Sequence, residues 1–252
     1  MGTKKFSKGE VLKTGWGIFK SNFSYLSVVA LIGALILSPI YSVMGNPNSV
    51  SDPYSPWIFC FYLILPLFTL ITIKLSLMLI DENKRMGFKD LRMSMYLILK
   101  FYLAMFLYFV IVLCGFILLI IPGIVWSIKY IFTPYYVVDL GLGPIESIKK
   151  SGEITKGQKW NLFLTGIIVT LLPEIIMFLL ITLVLVPLLI SGAPNTLISN
   201  IISFISGLFA WYVQIITAIV FALIYRKLTT IEEVFDNNAV PAPQDQNVQL
   251  IQ

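Results

Sequence analysis

The sequence predicts an all-α, polytopic membrane protein of six transmembrane helices, and three observations carry that prediction. Of its 252 residues, 58% are hydrophobic and only 12% charged, with a mean hydropathy of +0.88; an ordinary soluble domain carries about 25% charged residues. Apolar runs long enough to cross a bilayer, roughly 20 residues each, recur along the chain. Lys and Arg crowd some of the connecting segments and are missing from others, the asymmetry that marks cytoplasmic flanks.

The first span, Phe23–Met44, follows a segment bearing Lys4, Lys5, Lys8, Lys13 and Lys20, and its Gly33–Ala34 step suits close helix packing. The second, Trp57–Ile80, precedes Lys84, Arg85, Lys89 and Arg92. The third and fourth, Met95–Ile121 and Ile124–Leu140, are separated only by Pro122 and Gly123. The fifth, Asn161–Ile190, follows Lys149, Lys150, Lys156 and Lys159; the sixth, Ile201–Tyr225, ends at Arg226 and Lys227. Between the first and second spans, and between the fifth and sixth, the segments Gly45–Pro56 and Ser191–Asn200 hold no Lys or Arg.

Pro122–Gly123 decides the topology. The stretch Phe101–Ile128 has no charged residue and is compatible with one long kinked helix. A kink leaves five spans and puts Lys149, Lys150, Lys156, Lys159, Arg226 and Lys227 outside, while an uncharged loop faces in. A hairpin leaves six spans, both termini cytoplasmic and every basic flank inside. Pro ends a helix and Gly supplies unusual dihedrals, so this pair is expected to form the turn. The leg Ile124–Leu140 is then about 25 Å long and interrupted by Pro134, so a thinned or partly unwound crossing is expected, shielded by protein rather than lipid. The domain is drawn as residues 1–228, and 229–252 as a polar, disordered cytoplasmic tail with few apolar residues to bury.

No cleavable signal is expected, because the first apolar run starts late, spans fully and lacks a small-x-small site after it. The opening MGTKKFS has Phe6 where a myristoylation pattern needs Ser or Thr. Cys60 and Cys114 sit singly in different apolar runs and are read as small buried residues, not as a disulfide framework.

Sliding the chain against itself places Glu10 on Glu146, Lys13 on Lys149, Ile18 on Ile154, Lys20 on Lys156 and Leu26 on Leu162. A fainter copy sets Asp90, Ile98 and Lys100 on Glu10, Ile18 and Lys20. The economical reading is three units, each an amphipathic basic segment and a helical hairpin. In GPIESIKKSGEITKGQKW, Pro144 suits a helix start and Gly157 a helix end, with Glu146 in the first turn. Ile145 and Ile148 are expected on one face, and Lys149, Lys150, Lys156 and Lys159 at anionic phospholipid headgroups; ordinary topology-setting charge is the plainer alternative.

LLIIPGIVW, then YYVVD, then GPIESIKKSGEITKGQKWNLF resemble a broad family of bacterial six-helix membrane proteins related to the membrane domain of glycerophosphoryl diester phosphodiesterases. The resemblance covers residues 88–190 well and the rest by topology. It implies a non-catalytic helical module of the bacterial cytoplasmic membrane, sometimes near lipid metabolism. The phosphodiesterase barrel itself needs histidine, and this chain has none.

Two ionisable residues lie deep. Lys74 and Lys100 can snorkel to the interface, and Asp139 sits at the inner end of its leg. Lys129 lies about 8 Å from the outer corner and Glu174, after Pro173, about 20 Å from the inner end of its span; in a core about 30 Å thick those depths coincide. An unpaired intramembrane charge costs about 3 kcal/mol. A Lys129–Glu174 ion pair locking two helices, a solute or proton site with Tyr130, Tyr135 and Tyr136, a lone protonated Glu174 and a Lys129 reaching an outer headgroup all remain open.

The absence of histidine removes the usual general base near neutral pH and the commonest metal ligand. Neither HExxH, GxSxG, a phosphate-binding GxxxxGK[ST] nor an EF-hand carboxylate pattern occurs. No enzyme activity, cofactor or metal is expected, and nucleic acid is not an expected partner of the +5 surplus, which has no aromatic platform outside the membrane. The expected function is a scaffold or accessory module for lipids, a membrane protein partner or a second copy. The alternative is a transporter or channel using Lys129 and Glu174.

Overall fold

A computed structural model describes residues 6–44, 56–81, 84–87, 89–90, 92–190 and 195–238. Every regular element among them is helical: α1 (Lys8–Ser21), α2 (Phe23–Met44), α3 (Pro56–Asp81), α4 (Met95–Leu118), α5 (Ile120–Lys129), α6 (Thr133–Leu140), α7 (Pro144–Ile154), α8 (Lys159–Gly166), α9 (Leu172–Ile190) and α10 (Asn195–Asn238). A π-helical turn, Ile167–Leu171, joins α8 to α9. Among the described residues, four stretches are long and apolar enough to cross a membrane: Ile64–Asp81, Met95–Leu118, Lys159–Leu183 and Phe204–Thr230. A fifth is added if α1 and α2, bent by 82° at Asn22, count as one. Several long apolar helices make this a multi-pass membrane protein, and its association with a bilayer follows.

α10 is the mast on which α1, α2, α3 and α9 pack. Ile215, Ile219, Ala222, Ile224 and Tyr225 along it are fully buried, against α1, α2, α3 and α9. The ring of Phe23 stacks on Tyr212 at 6.1 Å and Phe68 meets Trp211 edge-on at 4.8 Å. Gly33 faces Trp211 so closely that a Cβ there would sit 2.5 Å from the indole; the small step read from the sequence is a seat for that ring. α1 is capped by Ser7, whose Oγ accepts the Glu10 amide at 3.5 Å. It lies across the mast with Gly15 on Val220, and Lys227 pairs with Glu10 at 2.6 Å.

The chain does double back after α4, but the corner lies at Leu119 rather than at Pro122–Gly123. Leu119 is extended (φ −165°, ψ 155°) between two helices. Pro122 sits inside the first turn of α5, where its missing N–H costs nothing. Gly123, the next residue, lies against Gly115. Any non-Pro residue adopts Leu119's extended backbone, so the reversal needs no special residue. The glycines instead let two helices touch.

Three contacts trace the return. Gly115 faces Gly123, Tyr108 Oη donates to the Ser127 carbonyl at 3.2 Å, and Lys100 Nζ donates to the Gly141 carbonyl at 2.6 Å. The antiparallel leg therefore runs from Leu119 to Gly141 beside most of α4, broken at Tyr130–Phe132 between α5 and α6. The expected interruption at Pro134 falls instead just ahead of it, since Pro134 occupies the first turn of α6.

Of the segments that superpose in sequence, those around Glu10 and Glu146 form the helices α1 and α7, whereas Asp90 lies in a turn ahead of α4. α10 continues past the expected domain end at 228 to Asn238 and starts at Asn195, so residues 195–200 of the expected loop Ser191–Asn200 are helical; 191–194, 45–55 and the rest of the expected tail, 239–252, lie outside the described residues. Cys114 is exposed on α4, not buried as expected; a helix flank facing lipid accepts a thiol as readily as a core does. The side chain of Cys60 is outside the described residues.

Candidate functional site

The break between α5 and α6 lies directly after Lys129, one of the two deep residues singled out from the sequence. An interrupted helix frees backbone polar groups, which away from water must find partners. α7 supplies them. Ser151 Oγ accepts the Phe132 amide at 3.1 Å and lies 3.2 Å from the Lys129 carbonyl, to which Thr155 Oγ1 also donates at 3.0 Å. The close approach needs Gly152, where a Cβ would lie 3.1 Å from Lys129 Cε. Ser147, Ile148, Ser151, Gly152 and Ile154 thus form a buried face against α4 and α6.

This corrects the expected placement of α7. Ile148 is buried but Ile145 is 64% exposed, so the two do not share a lipid-facing stripe, and the buried face of α7 belongs to protein. Lys149, Lys150 and Lys156 are exposed on the other side, and Lys159 is half-buried at the start of α8. They remain available to headgroups.

Lys129 occupies the C-terminal end of α5, where the helix dipole favours a cation, and its Nζ lies over the Tyr130 ring at 4.9 Å. Glu174 is exposed on α9. Among the described residues the two form no ion pair, against the suggested lock. Depth along straight helices was matched, but azimuth was not. The π-helical turn Ile167–Leu171 carries an extra residue per turn and rotates everything after it. Tyr130 lies beneath Lys129 Nζ, whereas Tyr135 and Tyr136 turn toward α10. The Tyr135 hydroxyl donates to the Ala218 carbonyl at 3.3 Å, and Tyr136 packs edge-on against Tyr225 at 5.0 Å.

A cluster not anticipated from the sequence ties three helices together near Arg226. Its guanidinium donates twice to Asp139, at 2.6 and 2.7 Å, and twice to Asp81, at 2.5 and 2.9 Å. The Tyr225 hydroxyl adds a bond to Asp139 at 2.8 Å. Asp81 ends α3, Asp139 lies in the last turn of α6, and Arg226 belongs to α10. One planar fork serving two carboxylates is a geometry that Lys cannot copy. The sequence signal was slight: each residue ends or follows a span, but nothing in the spacing pairs them.

Lys74 donates to the Asp90 carbonyl at 2.5 Å and Lys100 to that of Gly141. Among the described residues, two cavities flank α10. One, of about 400 Å³, lies among α2, α3 and α10; the other, of about 620 Å³, among α1, the π-helical turn and α10. Both are lined almost wholly by apolar side chains. Among the described residues, arginine, tyrosine and hydroxyl groups bridge helices. Compared with protein-family models, curated proteins and solved structures, the chain has no significant match.

Proposed function

We propose that the chain is a non-enzymatic membrane-embedded module that scaffolds or assists lipids or membrane partners, with six spans and both termini cytoplasmic, in a bacterial cytoplasmic membrane. The observation that carries the reading is how the polar groups are used. Ser151, Thr155, Asp81, Asp139 and Arg226 bind one helix to another, while the two cavities described beside α10 are apolar. A solute path needs polar groups turned toward a wet space; helix-to-helix bonds serve rigidity instead. The transport alternative built on Lys129 and Glu174 loses its support because those side chains do not meet.

Six crossings are favoured by the return leg, which accompanies α4 from Leu119 back to Lys100. The sequence matches around Glu10, Asp90 and Glu146 favour three units of one ancestral design. The motifs between 88 and 190 favour kinship with the phosphodiesterase-associated membrane family, and exposed Lys149, Lys150 and Lys156 favour contact with anionic headgroups.

The test is purification into native-lipid nanodiscs with mass spectrometry of what accompanies the chain. A stoichiometric lipid or protein is expected. Ion or solute flux in proteoliposomes that is abolished by Lys129→Met or Glu174→Gln refutes the reading. Orientation is checked by labelling from outside intact cells: Asn195→Cys reacts and Lys150→Cys does not, and the reverse pattern overturns it.

A further inference from the structure

We propose that the cavity among α2, α3 and α10 holds one acyl chain of an anionic phospholipid whose phosphate rests on Arg85. This rests on the membrane reading above, and its test separates the two. At about 400 Å³ the cavity falls within the roughly 300–1,000 Å³ of small-molecule sites. Its walls are Val28, Val29, Ile32, Phe68, Leu75 and Trp211, with Trp211 held in place by the seat at Gly33 and the edge of Phe68.

One side opens where hydrocarbon would lie. α2 and α3 touch each other little compared with their contacts to α10, and Val28 and Ile32 on the α2 face are more than half exposed, at 56% and 51%. An apolar space of this size left without matter forfeits dispersion contact along its whole lining. A tail sliding in from the bilayer restores it.

The other end is roofed by Met86 and Gly87, and this roof is fastened from two helices. The Tyr25 hydroxyl of α2 donates to the Met86 carbonyl at 2.9 Å, and Lys74 of α3 donates to that of Asp90. Asp90 Oδ2 accepts the Gly87 amide at 2.8 Å and closes the turn. Arg85, exposed beside the roof, lies over the Tyr25 ring at 5.8 Å. A guanidinium so placed presents its planar donors to a phosphate, and exposed Lys89 and Arg92 give the same end a positive field. Apolar walls, a lateral opening and a cationic lip at one end match a phospholipid, tail and head, of net negative charge.

Trp211 lines the cavity and reports on it. In a chain carrying Trp16→Phe, Trp57→Phe, Trp126→Phe and Trp160→Phe, the remaining indole is followed in phosphatidylcholine nanodiscs containing lipids with brominated acyl chains. Brominated phosphatidylglycerol is expected to quench it at about a fivefold lower mole fraction than brominated phosphatidylcholine, the preference one basic contact supplies. Arg85→Glu is expected to abolish that difference, and Val29→Phe to block quenching by either lipid. A control reporter, Ile117→Trp with Trp211→Phe added, stands on an exposed flank of α4 (Ile117 is 75% exposed) and is expected to be quenched equally by both.

If the control is quenched and Trp211 is not, the cavity proposal is overturned while the membrane reading stands; if neither is quenched, the membrane reading falls too. Equal quenching of Trp211 by both lipids overturns the anionic head. The unaltered protein, exchanged into detergent and weighed by native mass spectrometry, is expected to keep one phosphatidylglycerol, and retention of none overturns the site.

Discussion

Replacing Gly115 by Ala tests the reversal at Leu119 through the sign of its effect. In an open helix the change stabilises by about 1 kcal/mol, because Ala restricts the unfolded backbone. Gly17 on α1 is such a position, with nothing within 4 Å of a Cβ. At Gly115 the same carbon would lie 2.9 Å from Gly123 Cα, 2.9 Å from Trp126 Cε3 and 3.1 Å from the Gly123 nitrogen. Non-bonded carbons settle near 3.5–4.0 Å, so α5 must withdraw by more than about half an ångström. Two of the three atoms are backbone, so no rotamer change relieves the clash. Overpacking of this kind costs about 1–3 kcal/mol, which outweighs the propensity gain and leaves a net loss of roughly 1 kcal/mol. Reversible unfolding in mixed micelles, followed by circular dichroism, measures both variants. Should Gly115→Ala stabilise as Gly17→Ala does, the two helices do not touch at this point and the corner has been misplaced.

The remaining expectations concern the polar contacts. Arg226→Met leaves Asp139, 14% exposed, without its main partner and is expected to cost about 2 kcal/mol in the same assay. Lys227→Met breaks a pair whose Glu10 is 62% exposed and should cost less than about 1 kcal/mol; equal losses would deny the Arg226 cluster its role. Ser151→Val deprives the Phe132 amide of its acceptor and is expected to cost about 1–3 kcal/mol, with faster amide exchange at Phe132 as the local readout. Lys129→Met and Glu174→Gln are expected to act additively, and recovery of stability in the double variant would restore the ion pair rejected above.

Helix content and several crossings were legible in the sequence because bilayer solvation acts on long runs, and averaging over many residues suppresses local error. The doubling back after α4 was legible through charge, yet its corner was not. Pro122 and Gly123 carry turn chemistry in water, but a helix start and a close helix contact use the same two residues. The Lys129–Glu174 idea failed for a different reason. Depth follows from counting residues, while facing direction depends on where a helix rewinds, and Ile167–Leu171 contains no Pro or Gly to announce it. The Arg226 cluster was hidden because its members lie far apart in the chain, and Arg226 and Asp139 each had an adequate local explanation at the end of a span. The hydroxyls of Ser151 and Thr155 read as ordinary polar residues of a basic helix; only the position of the break gives them a task.

That task has an order in time. During synthesis α5 and α6 leave the ribosome before α7, so the Phe132 amide and the Lys129 carbonyl emerge ahead of the groups that satisfy them. Until Ser151 and Thr155 follow, this stretch has no stable home in hydrocarbon. The nascent leg must therefore wait in the translocation machinery or at the water boundary, and settle together with the segment behind it. A chain stopped just after Gly143 would lack the two hydroxyls that the Phe132 amide and the Lys129 carbonyl use, however oily its sequence.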